Sequence, residues 1–485
     1  MSFTGTGNIS FNFIKESPEL ALSRVFRFPS FRPGQKEVID AIISGKDAFL
    51  IMPTGQGKSL VFQIPAICMS GTALVISPLI ALMKDQVDAL KSRGVRAEFI
   101  NSSISQKEVS ERIGAMAAGA YDLLYVAPER VNSSQFMKVL PFSNISLVAV
   151  DEAHCISKWG HDFRPAYRRI PSMLKSISRR VPIVAVTATA TPIVREDIVS
   201  LLGMNNPIEK ITGFSRPELK LSVQMVDSAQ KSVRNWVVNS KSIYGKEFPS
   251  SIVYMGTKRD VESITSSIKM EGVSAEFYHG GMASKDREIV QNSFMGGEIP
   301  IVVATNAFGM GVDKPDIRYI IHGTMPGSVE AYYQEVGRAG RDGNDSWCNM
   351  YVDYGGIRLQ EWFLNTSHPS SNVAKKTYDT LMEVFENKGP NIKCTYVKLA
   401  EMVQGKYRSR FDEKEISQAL TIFKKQGVFS APKKGIMSAQ EHDLPYFEMF
   451  DKSRLEARER LQTMIEFTKS KDHHKSILEY FGAES

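Results

Sequence analysis

The segment Met52-Pro53-Thr54-Gly55-Gln56-Gly57-Lys58-Ser59 joins backbone freedom to a cation and a hydroxyl, a combination that grips polyphosphate. It fits the Walker A pattern apart from its start, where Pro53 stands in the first-glycine position. Within the loop, Thr54, Gly55 and Gly57 allow successive N–H groups to converge on phosphates. Lys58 is placed to reach the β- and γ-phosphates and Ser59 to set its hydroxyl on Mg²⁺, while the following helix aims its positive end at the anion. The second half of the chemistry is Val148-Ala149-Val150-Asp151-Glu152-Ala153-His154. The apolar run Leu147 to Val150 reads as a buried strand ending in two carboxylates: Asp151 to complete the Mg²⁺ shell and Glu152 to polarise an attacking water. Together the two segments point to ATP hydrolysis.

Composition narrows the classes open to such a chain. At 485 residues it exceeds what one hydrophobic core supports, so two or three domains are expected, and 42% hydrophobic residues supply ample core material. A formal net charge of +7 is compatible both with a polyanionic partner and with ordinary surface charge. Cys68, Cys155, Cys348 and Cys394 stand far apart with no C-x-x-C pair, which argues against a disulfide framework and points to a reducing compartment. They form no zinc ribbon, and zinc is not expected. Met1 to Phe13 lacks a basic start followed by an apolar core, and no apolar run approaches the roughly 20 residues that span a bilayer. The expectation is a cytoplasmic protein without a membrane partner, with the nucleoid in a bacterium or in the nucleus of a eukaryote.

The positioning elements follow from periodicity. Ala48 to Met52, Thr72 to Ser77, Leu123 to Val126, Leu147 to Val150 and Ile183 to Thr187 are short apolar runs, each read as a buried parallel strand. Amphipathic stretches such as Leu79 to Arg93 and Gln106 to Ala117 fall between them, giving a βαβ repeat whose ligands gather at the carboxyl ends of the strands. Gly203 to Lys220 has turn residues and poor periodicity and reads as a connection. Alternation resumes with Ser251 to Tyr254, Ala275 to Tyr278, Ile301 to Ala304, Tyr319 to His322 and Trp347 to Val352, without a second Walker A. One nucleotide site between two similar domains is expected. After about Leu359 come helices over Val373 to Phe385, Tyr396 to Met402 and Asp412 to Lys425, then β-like runs around Val428 and Tyr446. Three helices and a hairpin tipped by Pro432-Lys433-Lys434-Gly435 is the order of a winged-helix module, which often binds DNA. Asp451 to Phe481 reads as two amphipathic helices broken near Lys471-Asp472.

Further segments fall into place only together. Phe31-Arg32-Pro33-Gly34-Gln35 precedes the phosphate loop, Ser77-Pro78-Leu79-Ile80-Ala81-Leu82 follows the second strand and Val186-Thr187-Ala188-Thr189-Ala190-Thr191 the fifth. The second half holds Ala304-Thr305-Asn306-Ala307-Phe308-Gly309-Met310-Gly311-Val312-Asp313 and Gln334-Glu335-Val336-Gly337-Arg338-Ala339-Gly340-Arg341-Asp342-Gly343. In this order and spacing the set resembles the RecQ branch of superfamily 2 helicases over roughly Phe26 to Val352. The run Ala153-His154-Cys155-Ile156-Ser157-Lys158-Trp159-Gly160-His161-Asp162-Phe163-Arg164-Pro165 is similar to the aromatic-rich loop that marks that branch. The resemblance implies an α/β fold with two RecA-like parallel-sheet domains in tandem, 1–205 and 206–360. A mostly helical region, 361–485, would follow, with a winged-helix-like module at about 373–450.

Residue chemistry and resemblance then assign roles. The Gln35 amide suits the Hoogsteen edge of adenine, Arg32 would lie near the base or phosphates, and Phe28 occupies the position where the family stacks a ring on adenine. Arg338 and Arg341 are spaced i, i+3, which on a helix puts both on one face, and they read as arginine fingers worth about 10³ to 10⁵ in turnover. By resemblance, Gln334 positions the γ-phosphate or water, Gly309 and Asp313 link the nucleotide to the closing cleft, and Thr187 and Thr189 join the movements of the two domains. Trp159, His161, Phe163 and Arg164 offer flat faces for bases and a cation for phosphate, although Trp159 and Phe163 at i, i+4 also fit core packing. Lys84, Thr305 and Asn306 are candidates for sequence-independent backbone contacts.

The chain departs from the family pattern by lacking the four-cysteine zinc module. Asp472 to Gly482 resembles the end of that module with its expected cysteine replaced, which points to a metal-free helical platform with the winged-helix-like segment inserted. His473 and His474 are adjacent and share no helical face, which disfavours them as zinc ligands. The resemblance implies an ATP-dependent 3′–5′ DNA helicase of repair and recombination, with single-stranded and forked or tailed duplex DNA as partners. An RNA-directed or purely translocating ATPase is the first alternative, and a scaffold that binds nucleic acid without responding to ATP the second.

Overall fold

The computed structural model describes residues 16–483 other than 54, 161, 246, 310, 311, 409, 410 and 434. The first sheet comprises β1 (Ala48–Ile51), β2 (Thr72–Ile76), β3 (Ala97–Ile100), β4 (Leu123–Val126), β5 (Ile145–Val150), β6 (Ile183–Thr187) and β7 (Ile208–Ile211) in the order β3-β4-β2-β5-β6-β1-β7. All its pairings are parallel. The strands are apolar on both faces because helices cover both. Phe49 and Ile51 of β1 enter one apolar layer while Ala48, Leu50 and Met52 enter the other. The helix Leu60–Cys68, directly after the phosphate loop, is buried on nearly every side, and its one buried amide, Gln63, bonds Gln86 (2.8 Å) and Tyr125 (3.0 Å).

A second all-parallel sheet is formed by β8 (Leu219–Met225), β9 (Ser251–Tyr254), β10 (Ala275–Tyr278), β11 (Ile301–Ala304), β12 (Tyr319–His322) and β13 (Ser346–Val352) in the order β10-β11-β9-β12-β13-β8. One of its faces carries a separate apolar layer with Val233, Val237 and Ile264. The other face shares a continuous apolar layer with the first sheet and with the helices Glu448–Phe467 and His473–Tyr480. At this seam Phe481 is fully buried, stacked on Phe214 at 4.4 Å and tilted against Tyr333 at 5.4 Å. Its carbonyl accepts from Arg195 of the first half, while the neighbouring Tyr480 hydroxyl donates to Glu330 of the second at 2.6 Å.

Two elements differ from the sequence expectation. Ile208–Ile211, inside the stretch read as a connection and beyond the boundary at 205, pairs with β1 as the first sheet's seventh strand. It is a half-buried edge strand, so it lacks the continuous apolar run of the others. The strand expected around Tyr446 lies instead at Ile436–Ala439, and Tyr446 is an exposed residue before the next helix. Pro445 beside it removes a ladder donor.

The C-terminal region has its own core. Helices Ser371–Lys388, Tyr396–Tyr407 and Glu413–Lys425 pack with β14 (Asn391–Lys393), β15 (Phe429–Ser430) and β16 (Ile436–Ala439), which form an antiparallel sheet ordered β14-β16-β15. This unit is inserted between two helices that flank it in sequence, Tyr354–Ser367 and Glu448–Phe467. It docks on them through Trp362 Nε1, which donates to Asp412 (2.9 Å), and Arg454, which reaches Glu415 (3.0 Å) and Asn365 (2.7 Å). No helix among the described residues is long and apolar enough to cross a membrane.

Because this core shares no residue with the layers of the parallel sheets, the two should melt separately. Leu420→Ala, at a fully buried position, should destabilise the inserted unit by about 2–5 kcal/mol. Calorimetry should show one transition lowered and the other unmoved.

Candidate active site

Sequence-predicted residues from both halves line one cleft of about 470 Å³ between the carboxyl edges of the two sheets. From the first half come Phe28, Arg32, Gln35, Gly55, Gly57, Lys58, Ser59, Asp151, Glu152 and Arg164; from the second come Gly309, Asp313, Gln334, Arg338 and Arg341. Thr54 and His161 lie outside the described residues, as do Met310, Gly311 and Lys434 of the quoted motifs. Both loop glycines take positive φ, +80° at Gly55 and +83° at Gly57, the left-handed region where a side chain is strained. A Cβ on Gly55 would also come within 3.1 Å of the Arg341 side chain, so the two halves touch at the loop itself.

The polar atoms of the cleft fit a metal-bound polyphosphate. Lys58 Nζ is buried and has no hydrogen-bond partner among the described residues, as does Glu152 Oε2. A buried ammonium and a buried carboxylate of this kind are costly unless a ligand of matching charge completes them. The Asp151 carboxylate accepts from the Ser77 hydroxyl at 3.2 Å and from Glu152 N at 3.0 Å, one bond on each oxygen, and its backbone carbonyl accepts from Tyr167 at 2.8 Å. Burial first, and the charge of Glu152 second, push its pKa up to about 7, well above the usual carboxylate range, with Lys58 opposing. Such a carboxylate gains most from a cation, and with Ser59 alongside it the donor set fits Mg²⁺.

Glu152 sits at φ +46°, ψ +49°, a left-handed conformation that a non-glycine residue adopts at a cost. The turn swings the carboxylate out of the strand line into the cleft. Behind it, His154 is 3.4 Å from the Glu152 carboxylate and 2.7 Å from Thr187 Oγ1. Thr189 N donates to Thr187 Oγ1 at 3.2 Å, and Gln334 Nε2 of the second half donates to Thr189 Oγ1 at 3.3 Å. A chain of polar contacts thus runs from the acidic pair across the cleft. Sequence reasoning gave roles to the threonines and Gln334 but none to the His154 imidazole, which it quoted only as part of two motifs.

Three expectations are corrected by the geometry. Arg338 and Arg341 are not on a helix: Val329–Val336 ends before them, and a turn with Gly340 at φ +63° brings both into the cleft. Arg338 donates to the Gly309 carbonyl and Arg341 to Asp313 at 2.5 Å, and burial lowers the Arg341 pKa against the pull of Asp313. Gln35 is buried, its amide satisfied by Arg32 N (2.9 Å), Gln56 O (3.3 Å) and Gly57 O (3.1 Å), so in this arrangement it braces the phosphate loop instead of facing adenine. Arg164 also turns to the nucleotide cleft, bound to Asp162 (2.9 Å) and the Pro78 carbonyl (3.2 Å). One arginine that motif reading passed over, Arg216, is buried against Glu218 and donates to the carbonyls of Ala339 (2.9 Å) and Gly340 (3.2 Å), fixing the turn between Arg338 and Arg341.

The other predicted residues lie outside this cleft. Trp159 is on a turn and exposed, which removes the helical core-packing alternative for it, and Arg168 lies over the Phe163 ring at 5.8 Å. Thr305 and Asn306 line a second cavity at the carboxyl edge of the other sheet. Lys84 is exposed on the helix Ile80–Ser92, paired with Asp88 at 3.5 Å. His474 Nε2 donates to the Leu219 carbonyl at 2.9 Å. One triad of metal-ligating types converges among the described residues: His154, Cys155 and Asp162 lie within 4.8 Å of one another, with Asp162 already held by Arg164.

Comparison with known proteins places these motifs. The DEAD/DEAH box helicase model matches residues 32–198, and the helicase conserved C-terminal domain model matches 238–343. The chain is 42% identical over 347 residues to the ATP-dependent DNA helicase RecQ of Bacillus subtilis, covering 71% of this chain and 58% of that protein. It is 36% identical over 417 residues to the probable ATP-dependent DNA helicase RecS of the same organism, covering 83% and 82%. The chain spans between 51% and 58% of the length of the RecQ relatives it matches. Among solved structures, the Mycobacterium smegmatis helicase Lhr bound to ssDNA and AMP-PNP shares the fold, with a TM-score of 0.54 and 17% identity over 90% of this chain and 60% of that one.

The left-handed Glu152 gives a stability prediction. Glu152→Asn keeps a residue that tolerates this conformation and removes the repulsion with Asp151, so the nucleotide-free chain should gain about 1 kcal/mol, a rise of about 2–4 °C in melting midpoint. Thermal denaturation of the two proteins checks it.

Proposed function

We propose that this chain, which belongs to the RecQ family of superfamily 2 helicases, is an ATP-dependent DNA helicase that moves 3′ to 5′ along a single strand and unwinds duplexes in repair and recombination. The observation that carries the reading is the single cleft in which Lys58, Asp151 and Glu152 face Gln334, Arg338 and Arg341 across a domain boundary. Hydrolysis in such a site depends on both halves, so it reports their closure.

Phe28 and Arg32 receive the adenine end, and Gln35 reaches the base only after its amide leaves the phosphate loop. Lys58 and the loop N–H groups take the β- and γ-phosphates. Ser59 and Asp151 hold Mg²⁺, which when bound neutralises phosphate charge. Glu152 orients the attacking water and accepts its proton. Arg338 and Arg341 leave the Gly309 carbonyl and Asp313 for the γ-phosphate as the cleft closes, and Gln334 joins them. After hydrolysis the anion they share is divided, the cleft relaxes, and the nucleic-acid surfaces of the two halves separate by a step. The DNA contacts are Trp159 and Phe163 by stacking, with His161 in the same loop, and Thr305, Asn306 and Lys84 by the backbone. The inserted unit, with its order of helix, strand, helix, helix and two strands, acts as a winged-helix-like module that meets the duplex, and the platform works without zinc.

Lys58→Ala should abolish ATP hydrolysis with an unchanged melting midpoint, and Arg338→Ala should lower turnover by about 10³ to 10⁵. Steady-state ATPase assays check both; normal turnover in the first would remove the site assignment. In a gel assay with ATP, 3′-tailed and forked duplexes should be unwound and 5′-tailed ones left intact. Unwinding of the 5′-tailed duplex alone would reverse the polarity, and none with any DNA would favour a pure translocase.

A further inference from the structure

Cys155 and Arg164 close the neck of the aromatic-rich loop, where Arg164 N donates to the Cys155 carbonyl at 2.9 Å. Beyond the neck the chain turns back on itself. Ser157 N donates to the His154 carbonyl at 3.2 Å, and Gly160 comes so near that a Cβ on it would lie 2.5 Å from the same oxygen. Exposed Trp159 stands at the tip, with Lys452 Nζ of the helix Glu448–Phe467 5.5 Å from its ring centre, while His154 at the neck faces the Glu152 carboxylate at 3.4 Å.

Three donor atoms of different kinds converge at this neck. His154 Nε2 is 3.7 Å from Cys155 Sγ, and that sulfur is 3.8 Å from Asp162 Oδ2. Ligands held tetrahedrally at zinc bond lengths stand about 3.5 Å apart, so these separations need little adjustment to enclose an ion. The imidazole is oriented for the same purpose. The Thr187 hydroxyl donates to the Thr189 carbonyl at 3.1 Å, so toward His154 it accepts, and Nδ1 is the donor in the 2.7 Å contact. In the neutral ring the lone pair is then on Nε2, the nitrogen turned to the sulfur. Arg164 donates to Asp162 Oδ2 from Nε at 3.0 Å and Nη2 at 2.9 Å, the kind of outer hydrogen bond that orients a ligating carboxylate. A carboxylate offers two oxygens, so the guanidinium and an ion can share it. Nitrogen, sulfur and oxygen together suit Zn²⁺ and disfavour Mg²⁺, which takes oxygen ligands.

We propose that His154, Cys155 and Asp162 form an inhibitory site for a single thiophilic divalent ion of the Zn²⁺ class, which staples the neck of the aromatic-rich loop. Water takes the fourth position, and the thiol proton passes to solvent as the sulfur binds. Cys155 already packs in the apolar layer of the first half, so the fold does not depend on the ion. The site is also apart from the platform helices and leaves their zinc-free character unaltered. Residues 156–161 lie between two of the ligands, so an occupied site holds Trp159 and the neighbouring Glu152 in one arrangement. Occupancy stands independently of the helicase reading; its consequence for nucleic-acid-stimulated hydrolysis rests on that reading.

The test uses the full chain and Co²⁺ as a spectroscopic substitute for Zn²⁺, without nucleotide or nucleic acid. Wild type should bind one Co²⁺ per chain, with the near-ultraviolet thiolate-to-cobalt band and the visible bands of a tetrahedral ion, and Zn²⁺ should displace it. Cys155→Ala should lose the thiolate band, and Asp162→Asn should weaken binding about tenfold or more. No thiolate band in wild type, or one that persists in Cys155→Ala, overturns the site. If Cys155→Ala melts early, undiminished Co²⁺ binding in Asp162→Asn overturns it instead. With Mg²⁺ in excess, added Zn²⁺ should lower oligonucleotide-stimulated ATP turnover of wild type severalfold and leave Cys155→Ala at its own zinc-free rate. Equal inhibition of both proteins marks exchange at the nucleotide's metal and overturns the inhibitory role. Failure of the parent reading is separable, since it appears as zinc-free protein whose ATP turnover does not respond to the oligonucleotide while its cobalt spectrum is intact.

Discussion

A parallel strand delivers its carboxyl end, and whatever loop follows it, to one edge of the sheet, and the rest of this molecule depends on two such edges facing each other. Neither edge is chemically complete. The first holds a cation with no hydrogen-bond partner among the described residues and two crowded carboxylates; the second holds arginines that rest on a carbonyl and a carboxylate of their own half. Their groups complement each other only around a shared anion. Between them the Gln334–Thr189 contact already spans the gap, so the halves are in register before any ligand is considered.

The phosphate loop shows how closely the two halves are interlocked. Gln35 ties its carbonyls from behind, Arg32 reaches the Gly55 carbonyl at 3.1 Å, and the Arg341 stem packs against Gly55 from the opposite domain. Glycine is needed at that position for its backbone angle and also for the approach of the neighbouring arginine. The acidic pair is braced in the same manner, by Ser77, Tyr167 and His154. Strain at Glu152 and repulsion at Asp151 are tolerated because these neighbours overdetermine the turn.

Much of this was legible in the sequence because the chemistry is local. Strands such as Leu123–Val126 and Ile301–Ala304 are continuous apolar runs, and the motif residues follow them within a few positions. What escaped was set by long-range partners. Ile208–Ile211 is strand because β1 has a free edge, which its own half-polar pattern does not announce. Gly337 ends a helix that the i, i+3 spacing of Arg338 and Arg341 would have continued, yet the turn delivers both side chains to the same place. For Gln35, an amide in a motif reveals its capacity to bond but not which carbonyls satisfy it. Arg454 and Arg460 stand on one helix, and only the packing separates the one paired with Glu415 from the one on a cavity wall.

The joint between the halves is lined with hydrocarbon. Phe214, Tyr333 and Phe481 lie in an apolar layer that runs unbroken from one sheet to the other, while the groups that grip polyanions sit at its rim. Electrolyte screens the rim over distances of about 10 Å at 0.1 M but leaves an oily contact nearly untouched. Brine should therefore loosen the hold on the track without softening the pivot, so that grip and stroke answer to different solvents.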